Sequence, residues 1–413
     1  MCDTLAALHS ATDDGAVIFG KNSDREYDEA QHLTLVPAAR HPRGSRVDLT
    51  YTDIDQVPAT NAVLLSRPHW IWGAEIGANT HGLVIGNEAL FSKLAASTER
   101  GVIGMDYLRL ALERAQDVQE AIHVMTTLLR QHGQGGNCGF RRTLGYHNSF
   151  ILADPKGAKV LETVEREWVV QPIAEYEAIS NAMTIGTKFE TSSSSLRTRA
   201  SEAEIDVEGV PFAFDAVFGD ANMVSSGHHR RGRALSLLAE RRGHLQAADF
   251  FRILRDHQEG APLPGRATRP RICAHTPENP LGQTTASWVA TLLPHKFVHW
   301  VTATSAPCTS LFKPVLLEAG LPSHGPRPGA DRDPDSLWWR HEQLRKSLDA
   351  GDGDLRESFS AERDNLEARF LEEMRNCPSI TDDDSRREAG RIVESCWDRG
   401  LEFESRWLVR FAS

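Results

Sequence analysis

Short apolar runs recur along this chain in pairs, each pair split by a turn signal. Residues 4–11 suit a strand, Asp13-Asp14-Gly15 suits a turn, and Ala16-Val17-Ile18-Phe19 is the returning run. The pattern predicts a hairpin ending at Gly20-Lys21-Asn22-Ser23-Asp24-Arg25. A hairpin of that length brings the chain back to the level of its own start, so Lys21–Arg25 is expected beside Cys2. A second strand–turn–strand unit is expected from Trp72 to Asn87, turning at Asn79-Thr80-His81-Gly82. A third is expected from His147 to Glu162, turning at Asp154-Pro155-Lys156-Gly157. Two later runs, Gln283–Leu293 and Phe297–Ala303, flank Pro294-His295-Lys296. Repeated hairpins of this kind predict antiparallel sheet.

Between the second and third units the period changes. Leu108, Leu110, Ala111, Ala115, Ala121, Ile122, Met125 and Leu128 fit one or two amphipathic helices over Met105–Leu129. A further helical pair is expected over Gly232–Arg241 and Ala247–Asp256. Helices set between runs of antiparallel strands predict a layered α+β fold. The Pro/Gly-rich stretch 321–334 reads as a linker after a main domain over 2–320. Residues 335–413 are dense in Glu, Arg and Asp with spaced Leu, Trp and Phe, which predicts a helical extension interrupted near Cys377–Asp384. That extension reads as amphipathic helices packed on the main domain, or else as an oligomerisation or partner surface that would make a homo-oligomer.

Composition narrows the function. The net charge of −11 argues against nucleic acid as a partner. No apolar run approaches the length of a membrane span, and no signal-peptide pattern opens the chain, so no membrane partner and a cytoplasmic location are expected. The six cysteines, Cys2, Cys138, Cys273, Cys308, Cys377 and Cys396, include no Cys-x-x-Cys pair. Neither zinc nor a redox dithiol is suggested by that spacing, and the thiols read as reduced. The adjacent His228 and His229 lack a third ligand at helical spacing. No metal and no cofactor are therefore expected.

Chemistry concentrates at Met1-Cys2-Asp3-Thr4. A side chain as small as Cys permits removal of the initiator methionine, which would leave Cys2 with a free α-amine. One residue would then carry a thiol with a pKa of about 8.5 and an amine with one of about 7.7–8.0. An N-terminal amine that activates its own side chain is a known nucleophile–base pairing.

Several motifs follow in order. They are Cys2-Asp3-Thr4, Phe19-Gly20-Lys21-Asn22-Ser23-Asp24-Arg25, Leu65-Ser66-Arg67-Pro68, Trp72-Gly73-Ala74-Glu75, Gly86-Asn87-Glu88, Tyr146-His147-Asn148-Ser149-Phe150, Ile179-Ser180-Asn181 and Ser225-Ser226-Gly227. This run resembles the secernin and N-terminal-nucleophile dipeptidase family, over about residues 2–320. The Arg67-Pro68 segment and the charged tail are secernin-like. More distant relatives include the penicillin V acylases and bile-salt hydrolases. The resemblance implies an N-terminal-nucleophile hydrolase fold, a four-layer αββα sandwich, and cleavage of carbon–nitrogen bonds.

It also implies roles. Cys2 is the expected nucleophile and Asp24 the acceptor that orients its amine. Lys21 stands where the distant relatives carry an arginine, and its charge would favour the thiolate. Asn87 matches an oxyanion-hole amide and Asn181 a second site asparagine. An arginine follows the Ser-Ser pair in the relatives, and Arg230 is the expected match, with His229 the alternative. Glu75 could bind a substrate amine or pair with an arginine such as Arg67. The expected function is hydrolysis of a dipeptide or small linear amide through a thioester, as a cysteine-type dipeptidase. The alternative is a catalytically silent, secernin-like regulatory or interaction protein.

Overall fold

The computed structural model describes residues 2–205, 211–220, 225–258, 270–275 and 282–412. Two antiparallel sheets carry the fold. Their main elements are β1 (Cys2–Ala7), β2 (Val17–Arg25), β3 (Gln31–Val36), β4 (Val63–Pro68), β5 (Ile76–Asn79) and β6 (Val84–Leu90), then helices α1 (Gly104–Arg114) and α2 (Val118–His132). Next come β7 (His147–Asp154), β8 (Gly157–Val164), β9 (Glu167–Pro172), β10 (Tyr176–Ile179) and β11 (Thr191–Ser192), then α3 (Ser225–Glu240) and α4 (Ala247–Leu254). The chain closes with β12 (Gln283–Leu293), β13 (Lys296–Val301), β14 (Lys313–Val315), α5 (Leu337–Ala350), α6 (Gly353–Asn376) and α7 (Asp383–Ala412).

The first sheet runs β10-β1-β2-β12-β13-β14 and the second β11-β9-β8-β7-β6-β5-β4-β3. They face each other, with β1 against β6 and β7. Helices α1 and α2 cover the outer face of the second sheet, where Leu108, Leu112, Ile122 and Met125 join Ile85, Leu152 and Leu161 in one cluster. Helices α3 and α4 cover the outer face of the first sheet and pack Leu237, Leu238, Phe250 and Phe251 onto Leu5 and Val289. The order of layers is therefore α, β, β, α. Each fully buried Leu or Phe contributes about 1.5–3 kcal/mol to holding those layers together.

Strand parity sets what each side chain sees. In β2, Phe19 and Lys21 point between the sheets, toward Gly86 of β6. Asn22 points the other way, and its Nδ2 donates to Leu254 O at 2.8 Å and Ile272 O at 2.9 Å. Gly86 makes room for this arrangement: a Cβ there would lie 2.5 Å from Lys21 Cδ and 2.9 Å from Phe19 Cζ.

Local differences from the sequence expectation have local causes. The first strand starts at Cys2, because its whole length pairs with β2 in the register Cys2↔Ser23 and Thr4↔Lys21. The second unit starts at Ile76 rather than Trp72. Thr50 Oγ1 takes the Trp72 N–H at 3.1 Å, and Asp106 Oδ1 takes that of Gly73 at 3.1 Å, so neither can enter a ladder. Gly133 ends α2 as its cap, with φ +69° and its N–H on Leu129 O. The Gly-Gln-Gly-Gly stretch there is thus a helix C-cap and loop.

The three C-terminal helices are built into the molecule. Phe370, Met374, Ala389, Val393 and Trp397 belong to the same apolar cluster as Phe19 and Trp300. Trp397 Nε1 donates to Pro314 O at 2.8 Å, and Trp338 Nε1 to Thr285 O at 3.0 Å. Among the described residues no helix is long and apolar enough to cross a membrane.

Candidate active site

The hairpin delivers Cys2 and Asp24 to one place. Cys2 and Ser23 are register partners, and the Asp24 backbone N–H points at Cys2 Sγ from 3.4 Å. Opposite Asp24, the β2–β12 ladder is irregular between Thr284 and Ala286. Irregularities of this kind re-aim side chains. Here Thr284 Oγ1 donates to Asp24 Oδ1 at 2.6 Å.

Cys2 is almost fully buried, at 5 % exposure, yet it lines a cavity of about 320 Å³. Asp24, Glu75, Phe91, Tyr146, Asn181 and Arg230 share that cavity. Its volume sits at the lower end of ligand pockets, which run about 300–1,000 Å³. A groove of about 520 Å³ also runs beside Gly133 and Arg166, but no cysteine lines it, and its Arg199 is paired with Glu165 at 2.6 Å. The smaller cavity is the one that the Cys2 thiol lines.

Burial pushes the Cys2 thiol up to about 11; Lys21 pulls it down and Glu75 pushes it up. The thiol is therefore protonated at neutral pH in this form. Its sulfur lies 3.8 Å from Glu75 Oε2. Burial also raises Asp24, to about 7, with Asp3 adding to the rise and Arg230 and Thr284 opposing it.

The nitrogen of Cys2 has a defined partner. It donates to Asn181 Oδ1 at 2.9 Å. The same oxygen accepts from Arg230 Nη2 at 2.6 Å. Arg230 is fully buried, and its Nε donates to the Asp3 carboxylate at 3.0 and 3.1 Å. Its Nη2 also reaches Ser180 Oγ at 2.6 Å and Cys2 O at 3.3 Å, and its Nη1 reaches Ser226 Oγ at 2.9 Å. Burial opposes its charge, but Asp3 and Asp24 outweigh that and raise its pKa. Helix α3 can come this close because residue 227 is glycine: a Cβ there would sit 2.8 Å from the Asn181 carbonyl carbon. Of the two register candidates after the serines, Arg230 is at Cys2, while His229 Nε2 pairs with Gln258 Oε1 at 2.8 Å.

Lys21 lies fully buried between the sheets. Its Nζ donates to Asn87 O at 2.5 Å and to Glu88 Oε1 at 3.2 Å. Burial works against its charge, but Cys2, Glu88 and Glu75 outweigh it and raise the pKa. Lys21 stays cationic and acts on the thiol through space.

Asn87 is placed elsewhere. In β6, Gly86 and Glu88 face the first sheet, so parity turns the Asn87 side chain toward α1. Its Nδ2 lies 3.3 Å from Asn148 Oδ1 and 3.5 Å from Met105 Sδ, and it does not line the cavity. The structure gathers Cys2, Asp24, Asn181 and Arg230 and leaves the Asn87 side chain on the far face of the sheet.

This chain is similar, over residues 10–175, to the family of acyl-coenzyme A:6-aminopenicillanic acid acyl-transferase. Among solved structures it is similar to a variant of the conjugated bile acid hydrolase from Clostridium perfringens, with 14% identity, a TM-score of 0.46, and coverage of 76% of this chain and 92% of that one. The penicillin V acylase from Agrobacterium tumefaciens gives 12% identity and a TM-score of 0.44, covering 76% and 86%. The Caenorhabditis elegans ortholog of N-acylethanolamine-hydrolyzing acid amidase gives 13% and 0.37, covering 70% and 92%.

Three site residues carried no role in the sequence reading. Asp3 anchors Arg230. Arg25 Nη1 holds Glu75 Oε1 at 3.2 Å, while its Nη2 holds Glu29 Oε1 at 2.7 Å. Thr284 holds Asp24. The pairing of Glu75 is therefore with Arg25; Arg67 instead caps Ile71 O through its Nε at 3.1 Å. Strand parity could have found Arg25, two positions from Ser23, but Thr284 lies 260 residues from Asp24 and left no local signal.

Proposed function

We propose that this protein is an N-terminal cysteine hydrolase that cleaves the C–N bond of a dipeptide or small linear amide, as a secernin-like dipeptidase would. The observation that carries the reading is the contact of Cys2 N with Asn181 Oδ1 at 2.9 Å, beside a thiol that opens into a cavity. Met1 lies outside the described residues. Once the Met1–Cys2 bond is cut, that nitrogen becomes an amine, and Asn181 is already in place to orient it. Asp24 supplies a second acceptor at the same end of β1.

In this reading the Cys2 amine takes the thiol proton, and the sulfur attacks the substrate carbonyl carbon. Collapse of the tetrahedral intermediate breaks the C–N bond, and the leaving amine takes the proton back. The acyl group is then a thioester on Cys2. Water attacks it, again giving a proton to the amine, and departure of the sulfur restores the thiol and releases the acid. The free N–H of Asn181 Nδ2, whose other N–H donates to Ala89 O at 2.9 Å, is the proposed donor to the oxyanion. Asn87 has no part in that step here. Lys21 favours the thiolate, and the Asp24 N–H supports the sulfur.

The cavity suits a zwitterion. Glu26, Glu29 and Glu75 supply negative charge and Arg25, Arg142 and Arg230 positive charge around the thiol. Glu75, held by Arg25, is the proposed partner of a substrate amine. Turnover of a dipeptide and N-acyl amide panel by protein whose first residue is Cys2 tests this directly. Turnover of neither class, with an unreactive Cys2, would favour the silent regulatory alternative.

A further inference from the structure

His257, Cys273, His275 and Cys308 come from three separate stretches of chain. Their ligand atoms, two imidazole nitrogens and two sulfurs, all lie within 4.8 Å of one another. His257 Nε2 and His275 Nε2 are 3.0 Å apart, and Cys308 Sγ is 3.1 Å from His275 Nε2. A tetrahedral ion bound at about 2.3 Å to sulfur and about 2.0–2.1 Å to nitrogen spaces its ligands by roughly 3.3–3.8 Å. The two closest pairs are a few tenths of an ångström tighter than that and no pair exceeds 4.8 Å, so small side-chain shifts would bring all four atoms onto one ion.

The surroundings favour a ligand set over a chance cluster. His275 Nδ1 lies 3.7 Å from Asp349 Oδ2, which Arg345 Nη1 holds at 2.6 Å. A carboxylate behind one ring nitrogen fixes the other as the metal-facing atom, the arrangement common at histidine–metal sites. The chain on each side is also pinned. Cys273 N donates to Asp256 O at 3.1 Å. Arg255 Nε donates to Pro307 O at 2.8 Å and its Nη2 to Ser310 O at 3.0 Å.

We propose that these four residues bind one zinc ion in a closed, structural Cys2His2 site. Two thiols and two imidazoles offered to one ion select zinc among common ions. On binding, the two cysteines lose their thiol protons to solvent and two Zn–S bonds form, so the pair of thiolates balances the charge of the ion. With all four positions taken by protein, the ion has no place for a reacting water. Its work is to staple the stretch after α4 to residues 273–275 and to the loop that carries Cys308.

The staple reaches the candidate active site. Ala274 N donates to Thr284 Oγ1 at 3.0 Å, and Thr284 N donates to Ala274 O at 2.6 Å. Thr284 is the residue that holds Asp24. Zinc between Cys273 and His275 would therefore fix the strand edge that positions Asp24.

The test uses the full chain, purified from zinc-supplemented growth without chelator, and reads metal content by mass spectrometry. About one zinc per chain is expected. Replacement of zinc by cobalt should give the intense visible bands of a tetrahedral ion with sulfur-to-cobalt charge transfer. Cys308→Ser should weaken zinc binding at least tenfold, and Asp349→Asn should weaken it by roughly 10–100-fold as a partner of a ligand. The wild-type measurements stand even if a variant fails to fold. Substoichiometric zinc, a pale octahedral cobalt spectrum, stoichiometric iron or copper in its place, or a Cys273–Cys308 disulfide in the metal-free thiol count would each overturn the assignment.

Discussion

Asn181 Oδ1 accepts hydrogen bonds from two sources at once, Cys2 N at 2.9 Å and Arg230 Nη2 at 2.6 Å. The nitrogen proposed as the catalytic base is thus tied, through one amide oxygen, to a buried guanidinium that also holds Asp3. Removing the Asn181 amide should cost activity more than stability. Asn181→Ala is expected to lower kcat/KM by about 10²–10³-fold, the loss typical of one preorganised donor. Asn87→Ala should stay within about tenfold, because its side chain faces α1 and not the thiol. Steady-state kinetics on the two variants check this; equal losses would return Asn87 to the site.

Arg230 carries the packing of α3 onto the first strand. Replacing it with Met strands the Asp3 carboxylate between strand and helix. Breaking a buried pair from one side costs about 3–5 kcal/mol. Urea unfolding should show a loss of that order for Arg230→Met. Adding Asp3→Asn should recover part of it, because the two residues share one network. Simple additivity would contradict the coupling.

The thiol should betray its burial through pH. In protein still carrying Met1, Cys2 has a pKa of about 11, raised chiefly by burial. Only thiolate reacts, so alkylation of Cys2 should rise about tenfold per pH unit between pH 7 and 10. Lys21→Met should slow it throughout, since loss of the cation raises the thiol further. Peptide-resolved mass spectrometry reads the rates at Cys2 alone. A flat profile below pH 9 would contradict the environment described.

A second pH effect comes from the core. His299 is completely buried against Trp288, at a ring separation of 5.4 Å, and burial lowers its pKa to about 3. The unfolded chain takes up a proton near pH 6.5 while the folded one refuses it. Stability from the neutral ring is therefore full above pH 6.5 and is lost as pH falls toward 3. The slope from this group is at most about 1.4 kcal/mol per pH unit. His299→Leu should flatten the difference between urea midpoints at pH 7 and pH 4. An unchanged difference would show that His299 escapes burial.

How much of this was legible in the sequence depends on how local each signal was. The first hairpin was, because Asp13-Asp14-Gly15 marks the turn and the apolar runs fix the length; Ser23 then falls opposite Cys2. Helices α1 and α2 were legible from their period. Asn181 and Arg230 were reachable only through the resemblance, since no local pattern places them 179 and 228 residues from Cys2. The direction of Asn87 was not legible: one step along a strand reverses the face, and only the contacts of Gly86 and Glu88 reveal which face is which. The His257, Cys273, His275 and Cys308 cluster was invisible for a related reason. Only Cys273 and His275 are close in sequence; the packing of α4 and the loop before β14 brings His257 and Cys308 to them.

In the proposed mechanism the site is complete only when Cys2 is the first residue. The most direct measurement compares two forms of the same protein: one whose tag is cleaved to leave Cys2 at the N-terminus, and one retaining a single residue before it. Intact mass confirms each form, and dipeptide turnover is measured for both. Turnover is expected in the first form alone, abolished by Cys2→Ala. Equal turnover in the form with a blocked Cys2 nitrogen would contradict it.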